Sequence, residues 1–181
     1  MKLKTSALLV AGALGAVSAA RAAPDAAAQI ASAVSAAPAA IGRDATVMAM
    51  GAKGMTVLRK GANGWTCFPD DPATPGKDPM CLDANGMAWM EALTGHKPPP
   101  KGKIGMSYML QGGSDASNLD PYLTKPPAGA KWVTTGPHVM ILSAEAATSS
   151  GYPTKQAAPD TSRPYVMYGG TPYQHIMLPV N

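Results

Sequence analysis

The chain is poor in charged residues and has no run of basic ones. Only 14% of its 181 residues are charged. Of the 15 basic residues, three lie in the first 22 positions, and the remaining 12 face 11 acidic residues, so the net charge beyond residue 22 is about +1. Nucleic-acid-binding proteins carry a basic patch or stripe. Proteins that bind to a membrane surface often carry a basic amphipathic helix. We therefore expect neither a nucleic acid nor a membrane surface as partner.

No apolar stretch reaches the roughly 20 residues that a membrane-spanning helix requires. The chain begins with MKLK and continues with TSALLVAGALGAVSAA, a short apolar run followed by Ala20-Arg21-Ala22. A positive start, a short apolar core and a small-x-small pattern are typical of a secretory signal peptide. The sequence predicts a signal peptide at 1–22, cleaved after about Ala22, and a secreted or periplasmic protein with no membrane attachment.

Cysteine is nearly absent, since Cys67 and Cys81 are the only two. Their separation excludes a CxxC redox motif, and no further Cys or His in the intervening loop completes a zinc ligand set. Two lone cysteines in an exported chain usually form one disulfide. We predict the disulfide Cys67–Cys81, which should stabilise the fold by about 3 kcal/mol through the loop that it closes.

The loop between the cysteines is also rich in proline and aspartate. Carboxylate oxygens are the ligands that calcium prefers. Aspartates beside Pro and Gly are equally ordinary turn residues, and the regular alternation of an EF-hand loop is missing. A calcium site is therefore the lesser alternative for this loop, and its candidate ligands are Asp70, Asp71, Asp78 and Asp83.

Glycine and proline are abundant, at 19 and 18 residues, while 46% of the chain is hydrophobic. This composition is typical of a globular domain with many turns. Periodicity and turn signals predict an α+β domain with a mainly antiparallel sheet and one or two helices, cross-linked by one disulfide. The domain should span 41–181 after an Ala-rich lead at 23–40, with helices at 25–36 and 83–95 and strands at 45–50, 55–60, 104–110, 138–142, 164–168 and 173–178.

Two of the three histidines occur in matching contexts near the end of the chain. His138-Val139-Met140 and His175-Ile176-Met177 are both His-x-Met segments on predicted strands. Because side chains alternate along a strand, each His shares a face with its Met. Imidazole and thioether are soft ligands suited to copper, especially Cu(I). The alternative is that these methionines simply fill the core, as methionine often does.

A small hydrolase is the second hypothesis, with His138 or His175 as base and Asp115 or Asp120 orienting it. The loop Gly112–Asp120 partly resembles a nucleophile elbow around Ser114, although the elbow needs a following helix, and Pro121 leaves little room for one. The third hypothesis is a non-catalytic structural or interaction protein of the envelope. We expect a binding protein for a metal or small ligand rather than an enzyme.

Four segments taken together carry a resemblance: GWTCFPDDPATPGKDPMC, GGSDASNLDPY, KWVTTGPHVMI and PYVMYGGTPYQHIMLPV. They are similar to a family of small exported bacterial proteins of uncharacterised activity. The resemblance covers about 41–181 and implies secretion and a single domain. It implies no catalytic residue and no cofactor.

Overall fold

An eight-stranded sheet organises the computed structural model, which describes residues 25–51, 54–142 and 151–180. The expected signal peptide with Ala22 lies outside the described residues. The helices of the described part are α1 Ala26–Val34, α2 Ala39–Gly42 and α3 Ala84–Thr94. The strands are β1 Thr46–Gly51, β2 Gly54–Arg59, β3 Thr66–Phe68, β4 Met80–Leu82, β5 Gly105–Met109, β6 Gly113–Asp115, β7 Val133–Thr135, β8 His138–Leu142, β9 Tyr165–Met167 and β10 His175–Pro179.

The main sheet has the strand order β2-β1-β3-β4-β5-β8-β10-β9, and β6 pairs with β7 in a separate ribbon. Neighbouring strands are antiparallel throughout, except for β1 and β3. The α+β prediction with a mainly antiparallel sheet and one disulfide is confirmed. None of the helices in the described ranges is long and apolar enough to cross a bilayer.

The β1–β3 pair departs from the antiparallel arrangement expected for 45–68. After β2, the chain crosses the start of β1 and returns on its other side, so β3 runs parallel to β1. The crossing is close: a Cβ on Gly61 would lie 2.2 Å from the backbone of Ala45. A second departure is β6, which occupies part of the segment expected to be a loop after Gly112.

One face of the sheet holds the disulfide and is covered by α1. Cys67 and Cys81 lie directly opposite each other on β3 and β4, with a Cα–Cα distance of 4.0 Å. The apolar face of α1 is thin, yet Ala33 on this helix is completely buried in a cluster that includes both cysteines. Small side chains let the helix approach the sheet closely, which compensates for their small area.

The opposite face carries the larger core and is covered by α3. Asp83 caps this helix, because its carboxylate accepts hydrogen bonds from the amides of Gly86 (2.7 Å) and Met106 (3.1 Å). Capping of this kind stabilises a helix by about 1 kcal/mol. It also fixes α3 to β5, so that the buried Trp89 and Met90 face the central strands.

Candidate functional site

The two His-x-Met segments lie on neighbouring strands and project to the same face of the sheet. Met140 on β8 is directly opposite Met177 on β10. His138 is opposite Pro179, and His175 is opposite Leu142. The two imidazoles therefore lie at opposite ends of the strand pair, about 13 Å apart along it at the rise of four residues. The two thioethers stand between them.

A cavity of about 560 Å³ lies over this face, bounded by α3 and by the loop that the disulfide closes. His175 lines it, and so do seven of the 12 methionines in the chain. Met50 is 62% exposed at its edge, so the cavity communicates with solvent there. The lining methionines are Met50, Met80, Met90, Met109, Met140, Met167 and Met177.

The imidazole of His175 is held in one tautomer by a hydrogen bond to the backbone. Its Nδ1–H donates to the carbonyl of Tyr173 at 3.0 Å, which leaves Nε2 as the unprotonated nitrogen. Trp89 and Tyr168 contact the ring edge-on, with centroids at 5.1 and 5.3 Å. Burial lowers the pKa of His175 to about 4. The ring is therefore neutral at ordinary pH, and its lone pair is on Nε2.

His138 is held in the same way at the other end of the β8–β10 strand pair. Its Nδ1–H donates to the carbonyl of Gly136 at 2.7 Å. Its Nε2 is buried and has no hydrogen-bond partner among the described residues. Burial lowers the pKa of His138 as well. A metal-ligating histidine typically uses its other ring nitrogen in this way, since the second-shell bond fixes ring orientation.

Asp115 and Ser114 also line the cavity, whereas Asp120 does not. Asp120 is exposed, and its carboxylate accepts from the amide of Tyr122 at 2.9 Å. The Ser114 hydroxyl donates to the carbonyl of Pro75. Backbone carbonyls, rather than carboxylates, orient both imidazoles, so the Asp–His contact that the hydrolase hypothesis requires is not formed by the described residues.

The aspartate side chains of the loop between the cysteines accept hydrogen bonds from backbone amides of the same loop. The carboxylates of Asp70, Asp71 and Asp78 accept from the amides of Asp78 (2.8 Å), Ala73 (2.9 Å) and Asp71 (3.0 Å). Asp83 is the cap of α3. Within the described part of the chain, no group of three or more His, Cys, Asp or Glu side chains is arranged to hold a metal ion.

Sequence reasoning missed Met167, Met90 and Met109 as members of the site. Met167 lies directly opposite His175 on β9, and Met109 lies opposite His138 on β5. The signal for Met167 was available, because the expected hairpin between 164–168 and 173–178 sets that register. Nothing in the sequence indicates that β5 pairs with β8, so Met109 had no such signal.

Comparison with protein-family models, with curated proteins and with solved structures finds no match. The function is therefore inferred from the chemistry of the cavity and its donor atoms.

Proposed function

We propose that this protein is exported and binds Cu(I) in the methionine-lined cavity. The ligands are Nε2 of His175 and the thioether sulfurs of Met140, Met167 and Met177. The observation that carries the proposal is that the neutral imidazole of His175, with its Nδ1–H bonded to the Tyr173 carbonyl, lines a cavity together with seven methionines. His138, which the sequence hypothesis also included, lies at the other end of the β8–β10 strand pair and is not part of this site.

The donor set matches Cu(I) better than other common ions. Thioether sulfur is a soft ligand that selects Cu(I), and imidazole suits copper as well. Both cysteines are in the disulfide, so methionine supplies the only reduced sulfur in the chain. Zinc and calcium sites are built mainly from thiolate, imidazole and carboxylate ligands, which do not converge here among the described residues.

The position of the thioethers around His175 follows from sheet register. Met167 is its direct cross-strand neighbour, and Met177 lies two residues along the same strand. Met140 is opposite Met177 on β8. Side chains at such positions lie within about 5–8 Å of each other at Cβ. Methionine has three rotatable bonds, so these sulfurs can turn toward one ion without backbone movement.

The cavity also has a charge that favours cations. Among the described residues, its lining includes no Lys or Arg and four carboxyl groups: Asp70, Asp71, Asp78 and Asp115. A cleft lined by one sign of charge raises the local concentration of the opposite ion. The ionised members of this set therefore attract the ion, and Asp115, whose pKa is raised to about 7, adds to the attraction only at higher pH. The thioethers and His175 select the ion.

We expect His175→Ala to bind Cu(I) at least tenfold more weakly than the wild type, a loss of about 1.4 kcal/mol or more. The measurement is anaerobic titration of the disulfide-intact protein with Cu(I) against the chelator bicinchoninate. His96→Ala is the matched control, because His96 is exposed and lies outside this cavity. Its affinity should equal that of the wild type.

Met167→Leu and Met177→Leu test the thioethers without changing side-chain volume greatly, so they should fold normally. Each should weaken Cu(I) binding, whereas Met55→Leu, at a position exposed outside the cavity, should not. Equal affinity in the wild type and in all three cavity variants would contradict the proposal, as would a wild type that never competes with the chelator.

A further inference from the structure

We infer that the chain has a second Cu(I) site, formed by Nε2 of His138 and the thioether of Met109 beside Gly113. This inference rests on the proposed Cu(I) function. It gives His138, at the other end of the β8–β10 strand pair, a separate role as a ligand. Each chain would then carry two Cu(I) ions.

The unpartnered nitrogen of His138 is the first observation. The side chain is 1% exposed, and its Nε2 is buried without a hydrogen-bond partner among the described residues. A buried polar atom without a partner loses the hydrogen bonds that it would make with water and gains none in return. Such an atom in a folded protein usually has an ion or an ordered water beside it. The Nδ1–H bond to Gly136 leaves Nε2 with a lone pair and no proton, so it can only accept or ligate.

The second observation is a soft ligand placed directly against this ring. Met109 on β5 is the cross-strand partner of His138, so both side chains project to the same face. β6 lies over them at Gly113. A Cβ on Gly113 would be 3.7 Å from the Met109 sulfur and 3.2 Å from Cε1 of His138. The methyl group of Met109 would be closer still, at 3.0 Å. The thioether and the imidazole therefore pack side by side against Gly113, and this close approach requires a residue without a Cβ.

Thioethers also connect the two proposed sites. Met109 lines the main cavity as well as contacting the His138 end. Met140 is two residues from His138 on β8 and faces the same side, and it is opposite Met177. An ion bound at His175 therefore has the thioethers of Met177, Met140 and Met109 between it and His138. The second site should fill by exchange along these thioethers, since His138 has almost no surface in contact with solvent.

The test is the number of Cu(I) ions bound at saturation, by native mass spectrometry with elemental analysis. We expect two ions in the wild type, one in His138→Ala and one in His175→Ala. Gly113→Ala should also retain one, because its Cβ would lie 3.0 Å from the Met109 methyl group and 3.2 Å from Cε1 of His138 and would displace the two ligands. His96→Ala is the control, since His96 is exposed and lies outside the methionine-lined cavity, and it should retain two.

Met109→Leu provides a variant that preserves packing if His138→Ala fails to fold, and it should likewise retain one ion. The ¹⁵N chemical shift of His138 Nε2 should move when the second equivalent of Cu(I) is added. One ion per wild-type chain, retained by His138→Ala and lost in His175→Ala, would overturn the second site and leave the first intact. No bound ion in the wild type would overturn both.

Discussion

Asp115→Asn should stabilise the metal-free protein at pH 8 by up to about 4 kcal/mol and have little effect at pH 4. Burial, with a smaller contribution from the negative charge of Asp78, raises the pKa of Asp115 from 3.8 to about 7. The folded chain therefore binds this proton more tightly than the unfolded chain. Between pH 4 and pH 7 the free energy of unfolding of the wild type falls as pH rises, and above pH 7 this contribution is constant. Asparagine carries no charge, so the free-energy cost of burying an ionised carboxylate is absent in the variant.

Urea unfolding of the wild type and the variant at pH 4, 5.5, 7 and 8 measures this difference. Asp120→Asn is the matched control, because that carboxylate is exposed in the same region of the chain. It should not show the gain at high pH. A stability difference between Asp115→Asn and the wild type that stays constant from pH 4 to pH 8 would show that Asp115 is not held in an unfavourable environment.

Removal of the disulfide, by the double substitution Cys67→Ala/Cys81→Ala, should lower the free energy of unfolding by about 3 kcal/mol. The bridge closes a segment with a sequence separation of 14 and joins β3 to β4 beneath α1. Without the disulfide, the unfolded chain regains the conformational entropy that closing the loop removes. Both side chains are fully buried, so their truncation adds a cavity cost to the loss of the bond.

The wild type treated with a reductant separates these two contributions, because it keeps both sulfur atoms and loses only the bond. We expect most of the destabilisation in the reduced wild type and a further small loss in the double variant. Where the double variant remains folded, it should bind Cu(I) as the wild type does, since no cysteine sulfur is a ligand. A loss below about 1 kcal/mol on reduction would contradict the assigned role of the bridge.

The local elements follow directly from the sequence. Asp83 and Gly95 delimit α3 where capping rules place them, and alternation fixes β8 and β10. The turn at 169–172 sets the β9–β10 register, which brings Met167 to His175. These features depend on residues that are close together along the chain, and local stereochemistry decides them.

Features that depend on long-range pairing had no such signal. The parallel approach of β3 to β1 depends on Gly61 passing close to Ala45, which no periodicity indicates. The site itself depends on which strands become neighbours: β5 beside β8 places Met109 at His138. In each histidine, Nδ1–H donates to the backbone carbonyl two residues earlier, which leaves the lone pair on Nε2. Only the folded backbone reveals those contacts.

X-ray absorption at the copper edge tests the central claim most directly, using Cu(I)-loaded protein in which selenomethionine replaces methionine. Selenium scatters more strongly than sulfur, so a methionine ligand becomes distinguishable from any other group. The account predicts selenium and imidazole nitrogen in the first coordination shell, with the imidazole contribution reduced in His175→Ala. A first shell of oxygen and nitrogen alone, with no selenium, would contradict it.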